Sequence, residues 1–137
     1  MTSAPPTTNL DRVQAIYEAF GRGDIDTILA ALSPAIQAIN PGPEDMSYFG
    51  TRTGHEGFQD LASTIGGQLE ITEFVPVRWL TSDDQVVALI RMTATVRATG
   101  KSYSQEMAEF WTFDEQGLAT ELKVIQDTAL VAAAMRA

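Results

Sequence analysis

Four stretches rich in β-forming residues, Leu69–Leu80, Val86–Thr99, Ser104–Phe113 and Leu118–Gln126, follow one another with only short polar turns between them. Strands joined by such short turns cannot make the long crossover that a parallel pairing needs, so this half of the chain is an antiparallel meander. In the second strand Ile90, Met92, Ala94 and Val96 share one face, while Arg91, Thr93, Thr95 and Arg97 share the other. The third strand carries the anomaly. Its alternation sends Met107, Glu109, Trp111 and Phe113 to one side and puts a carboxylate in the middle of an apolar row. An ionised carboxylate buried among such neighbours costs several kcal/mol unless it is paired or protonated. The pattern therefore reads as a pocket wall, the plain alternative being that Glu109 lies near an edge and reaches water.

The first half of the chain supplies the cover for this sheet. Residues 1–8 are rich in Thr, Ser and Pro and read as a flexible leader, and residues 9–137 as a single domain. Leu10, Val13, Ile16, Tyr17 and Phe20 recur at helical spacing, with Asn9 as N-cap and Gly21 and Gly23 as the stop. Asp24 caps a second helix with an Ile25, Ile28, Leu29 and Leu32 stripe, closed by Ser33-Pro34. Ala35–Asn40 is a short strand halted by Pro41-Gly42-Pro43, and Ser47-Tyr48-Phe49 a brief extended piece in a loop. Gly54 opens a third helix that buries Phe58, Leu61, Ala62 and Ile65 and ends at Gly66-Gly67. Pro76 marks a bulge or an edge, and Thr128–Ala137 adds a short final helical piece. The fold class expected is α+β: a curved antiparallel sheet of four to six strands wrapped around three helices of the N-terminal half, with a cone-shaped cavity between the layers.

Charge and composition narrow the partners. Eighteen Asp and Glu against nine Lys and Arg give a formal charge of −9, which disfavours nucleic acid and anionic membranes. With no cysteine and one histidine, neither a disulfide nor a zinc site is expected. The start of the chain lacks the pattern of a secretory signal, and a cytoplasmic protein is expected.

Val13–Leu32, Ile39–Pro43 followed by Gly50–Phe58, Ala98–Phe113 and Leu122–Ala133, in this order and spacing, resemble the nuclear transport factor two-like superfamily. The likeness is to its SnoaL-like and ketosteroid-isomerase-like members and spans residues 9–136. It implies a cofactor-independent, metal-free enzyme that moves protons on an apolar carbonyl compound, by aldol-type cyclisation as in polyketide cyclases or by isomerisation. A non-catalytic small-molecule-binding or dimerisation module of the same fold is the first alternative. An epoxide-hydrolase-like hydrolase is the second, weakened because its Arg-x-Asp reads Arg91-Met92-Thr93 here.

The resemblance also implies a site. The proton-shuttling aspartate of ketosteroid isomerases falls on Asn40, which cannot act as a base but can orient a carbonyl or a water. The tyrosine of their first helix falls on Ile16, with Tyr17 turned from it by roughly 100°. Their protonated acid on the penultimate strand falls on Glu109, and the catalytic aspartate of SnoaL-like cyclases on Asp127, which is also a plain helix cap. The expected catalytic set is thus Asp127 as base, Glu109 as acid or hydrogen-bond donor, and Asn40. Trp111, Tyr17, Met92, Met107 and Tyr48 are expected to line the pocket, Trp79 to pack in the core, and His55 to be a minor acid-base candidate. A homodimer through the convex sheet face, with Thr95, Phe110 and Thr112 on it, completes the expectation.

Overall fold

The computed structural model describes residues 8–137, so the leader assigned to residues 1–8 falls outside it except for Thr8. That residue caps helix α1 (Asn9–Arg22). Its side chain accepts from the Asp11 peptide and the Asp11 carboxylate accepts from the Thr8 peptide, a reciprocal box that places the cap one residue before the expected Asn9. Gly23, at φ 68°, ends the helix in the left-handed conformation, and Asp24 caps α2 (Ile25–Ala30) as expected.

The chain then enters β1 (Leu32–Asn40) earlier than expected, so Ser33-Pro34 lies inside a strand instead of closing a helix. Proline is tolerated because the pairing of β1 with its neighbour is irregular between Leu32 and Gln37. The extended piece expected at Ser47–Phe49 is instead β2 (Gly50–Thr53), while Tyr48 and Phe49 turn inward and are buried. Gly42 lets the Phe49 ring lie against its backbone, since a Cβ there would stand 2.2 Å from that ring. Helix α3 (Gly54–Gln68) runs through Gly66-Gly67 before β3 (Leu69–Ser82), β4 (Gln85–Val96), β5 (Ser102–Phe113), β6 (Ala119–Ile125) and α4 (Thr128–Met135) complete the chain.

The strands form one six-stranded sheet in the order β2-β1-β6-β5-β4-β3. The meander is antiparallel as expected, but β1 pairs with β6 in parallel, which makes the sheet mixed. That pairing sets the first strand of the chain directly beside the last. Two bulges interrupt β3, between Ile71 and Glu73 and between Pro76 and Arg78, on the edge of the sheet. Each reverses which residues face inward and bends the edge.

One face of the sheet is covered. Val86, Ala88, Ile90, Met92, Ala94 and Val96 of β4 are all buried there, against Val13, Ile16 and Ala19 of α1 and Phe58 and Leu61 of α3. The other face is open, and Thr95 and Thr112 lie on it with Arg91 and Thr93 between them along the strands. Among the described residues no helix is long and apolar enough to cross a membrane.

Candidate functional site

A cavity of about 710 Å³ lies between α1, α3 and the covered sheet face. Its walls follow from strand alternation: β5 turns Met107, Glu109 and Trp111 into it, β4 Met92, and β3 Phe74, Pro76 and Trp79. Seven of the eight side chains expected at a site line it: Glu109, Asn40, Trp111, Tyr17, Met92, Met107 and Tyr48.

Asp127 is the exception. Gln126, the residue before it, lines the cavity, whereas the Asp127 side chain is exposed, and its carboxylate accepts the Leu130 N–H at 3.0 Å and caps α4. The carboxylate expected as the base therefore stands outside the cavity.

Glu109 is held by α1. The Tyr17 hydroxyl donates to Glu109 Oε1 at 2.7 Å, and Trp111 Nε1 donates to the Tyr17 hydroxyl at 3.0 Å. The Tyr17 ring is fixed by an edge contact with Phe74 at 5.7 Å, a tilted one with Trp79 at 5.7 Å and an edge contact with Trp111 at 6.1 Å. Burial drives the Glu109 carboxyl up from 4.5 to about 7, the Tyr17 hydrogen bond opposing it. Burial first, then the neighbouring Glu109, raises Tyr17 far above the ordinary tyrosine range, which keeps its hydroxyl proton available to the ionised Glu109.

The second polar wall is made of amides. Asn40, only 3% exposed at the end of β1, donates through Nδ2 to the Tyr48 carbonyl at 3.1 Å and accepts from Gln126 Nε2 at 2.8 Å. Gln126 accepts in turn from Gln105 Nε2 at 3.0 Å, and Gln105 accepts the Asp127 peptide N–H at 3.0 Å. Beside this chain the Tyr48 hydroxyl is pushed above its ordinary pKa, by burial first and by Tyr103 next. The Tyr103 hydroxyl is itself buried and has no hydrogen-bond partner among the described residues.

Phe20, Ile71 and Phe74, each about two-fifths exposed, form an apolar rim where the cavity opens, and Glu18 stands on the same rim. Sequence reading missed Gln126 and Phe74, and it placed Trp79 in the core; it lines the cavity instead. For Phe74 the obstacle is the bulge after Ile71, which takes the place of a strict alternation that would have pointed Glu73 inward. Arg91 stands on the open face with Glu73 at 3.3 Å, and the His55 ring sits 3.0 Å from the Leu32 carbonyl, where it ties the start of α3 to β1. No three His, Cys, Asp or Glu side chains gather as metal ligands among the described residues.

Comparison with known proteins agrees with this architecture. A search of curated proteins finds no match. Among solved structures, a nuclear transport factor two-like protein of Burkholderia xenovorans superposes with a TM-score of 0.86 at 23% identity, over 96% of this chain and all of that one. A like protein of Burkholderia pseudomallei, of unknown function, gives 0.82 at 27% identity over 94% of this chain and 98% of its own. TerC, co-crystallized with polyporic acid, gives 0.83 at 23% identity over 94% and 98% of the two chains. The model of the SnoaL-like domain matches residues 13–122. The chain therefore belongs to the SnoaL-like family of the nuclear transport factor two-like superfamily.

Proposed function

We propose that the protein catalyses cofactor-independent proton transfer at a carbon next to a carbonyl group of an apolar small molecule, with Glu109 as the acid-base group. One observation carries the reading: Glu109 is a carboxylate set among Met107, Trp111, Val124 and Trp79, fixed by Tyr17 and titrating near neutrality. A group that titrates near the working pH can both accept a proton from carbon and return it. The role expected for Asp127 passes to Glu109 because Glu109 is the one in the cavity. Isomerisation and aldol-type cyclisation both begin with this step.

The test is exchange of the protons beside the carbonyl of a bicyclic ketone in heavy water, followed by NMR. Wild-type protein should accelerate the exchange, and Glu109→Gln should slow it by about 10²- to 10⁴-fold. Binding of the ketone without any accelerated exchange would overturn catalysis in favour of a ligand-binding module.

For a partner chain, we propose a second copy on the open sheet face. Leu80, Val87 and Phe110 form one cross-strand row there and Leu89, Ala108 and Ile125 the next. Leu80 and Ile125 are about half exposed. Sedimentation velocity should show a dimer at micromolar concentration; a monomer would refute it.

A further inference from the structure

The amides of the second wall are oriented from both ends. The Asp127 peptide N–H can only donate, so Gln105 must turn its carbonyl oxygen toward it, at 3.0 Å. The Tyr48 carbonyl at the far end can only accept, so Asn40 must turn its nitrogen toward it, at 3.1 Å. Between these fixed points each amide passes a hydrogen the same way, and reversing any one would set N–H against N–H or oxygen against oxygen. Each side-chain carbonyl oxygen already accepts one N–H. The wall also has hydrogen to offer a ligand: the second N–H of Asn40 and the second N–H of Gln126, which lies against the Tyr48 hydroxyl.

The Glu109 wall has the opposite character. The one Tyr17 proton goes to Glu109 Oε1, and the Trp111 N–H goes to Tyr17. An ionised Glu109 therefore has only oxygen lone pairs to present. Both walls stand on one cross-strand row: Glu109 is opposite Val124 of β6, and Asn40 follows Ile39, which pairs with Lys123. One strand separates them, so their backbones stand about 10 Å apart. A carbonyl oxygen and the carbon beside it can bridge that gap, with a hydrogen bond at one end and a proton in transfer at the other.

We infer that the substrate lies with its carbonyl oxygen toward Asn40 and Gln126 and its acidic C–H toward Glu109, so that the amide pair receives the charge of the enolate. The inference rests on the proton-transfer reading above. In the step, the C–H bond breaks and its proton passes to the Glu109 carboxylate, which becomes a carboxylic acid. The C–H electron pair forms the new carbon–carbon double bond, and the carbonyl π pair moves onto oxygen, between the two N–H groups. Return of the same proton to another carbon, or to the alkoxide made when the enolate attacks a second carbonyl, restores Glu109. The polarity is the reverse of that implied by ketosteroid isomerases, in which the residue at the end of the first strand moves the proton and the acid on the penultimate strand donates to oxygen.

The probe is β-tetralone with an isotope-labelled carbonyl, read in two ways: its C=O stretch when bound, and its exchange in heavy water. Bound to wild type or to Glu109→Gln, the stretch should move to lower frequency, because the amide donors are intact in both. In Gln126→Leu it should return toward the free value while exchange slows about a hundredfold. Gln126→Met provides the same reading should the leucine variant fail to fold. If the stretch is unchanged in both Gln126 variants and lost in Tyr17→Phe, the carbonyl sits at the Glu109 wall and the inference is overturned, with the base role of Glu109 still standing on the exchange data. If Glu109→Gln exchanges as fast as wild type, the reading beneath the inference falls with it.

Discussion

Glu73 and Glu109 stand two strands apart on opposite faces of one sheet and live in different chemistry. Glu73, on the open face, is more than a third exposed, pairs with Arg91 at 3.3 Å and accepts the Thr93 hydroxyl at 3.3 Å. Water and a cation keep its charge inexpensive, and such a pair contributes about 0–1 kcal/mol. Glu109 has no cation within salt-bridge distance among the described residues and one hydroxyl for support, and burial lifts it to about 7. Glu73 follows a bulge on the edge strand and Glu109 lies on an inner strand; the face each points to decides which glutamate is a surface charge and which can trade a proton.

Replacing each glutamate by its amide sharpens that contrast. Glu109→Gln should give the largest effect, the 10²- to 10⁴-fold loss of ketone exchange, with the fold kept because the amide oxygen can still accept from Tyr17. The next effect is on stability. The folded chain holds a proton on Glu109 between 4.5 and about 7 that the unfolded chain has released, so this contribution is full below pH 4.5 and is lost as pH rises through about 7. Denaturant titrations of wild type against Glu109→Gln should diverge by on the order of 3 kcal/mol across that window, the variant lacking this pH-dependent limb. Parallel curves would mean that Glu109 is an ordinary carboxylate.

Asp127→Ala comes third: loss of the α4 cap should cost about 1 kcal/mol, with far less effect on exchange than Glu109→Gln. A loss of exchange as large as that of Glu109→Gln would return the base role to Asp127. Glu73→Gln should be the mildest, within about 0.5 kcal/mol in stability and with exchange unaltered.

Much of this was legible in the sequence because alternation is a strong signal where a strand is regular. In β5 it set Met107, Glu109 and Trp111 on one wall, and in β4 it separated Met92 from Arg91. It failed where the backbone departs from the pattern. The β3 bulges change which residues face inward at Phe74, and no spacing rule shows a bulge that lacks a proline. Pro34 read as a helix stop because its exclusion from a strand depends on pairing, which is a tertiary fact. The parallel β1–β6 ladder joins segments some eighty residues apart, beyond any local pattern. Tyr17 was legible as a neighbour of the expected position, but only the rotation of α1 against the sheet decides that it, and not Ile16, reaches Glu109.

Asp127 is coupled to the cavity through its backbone. Its peptide hydrogen is the first link of the amide chain that ends at Asn40, and no exchange of side chains removes a peptide hydrogen. A mutational survey by alanine would record a helix cap at Asp127 and nothing more. Proline is the exception: φ at this position is −76°, within the range its ring imposes, and Gln126 before it follows directly on an extended strand. Asp127→Pro set beside Asp127→Ala thus removes the peptide hydrogen and puts a ring carbon in its place, and the difference between the two variants reports on what the main chain contributes to the alignment of the amides.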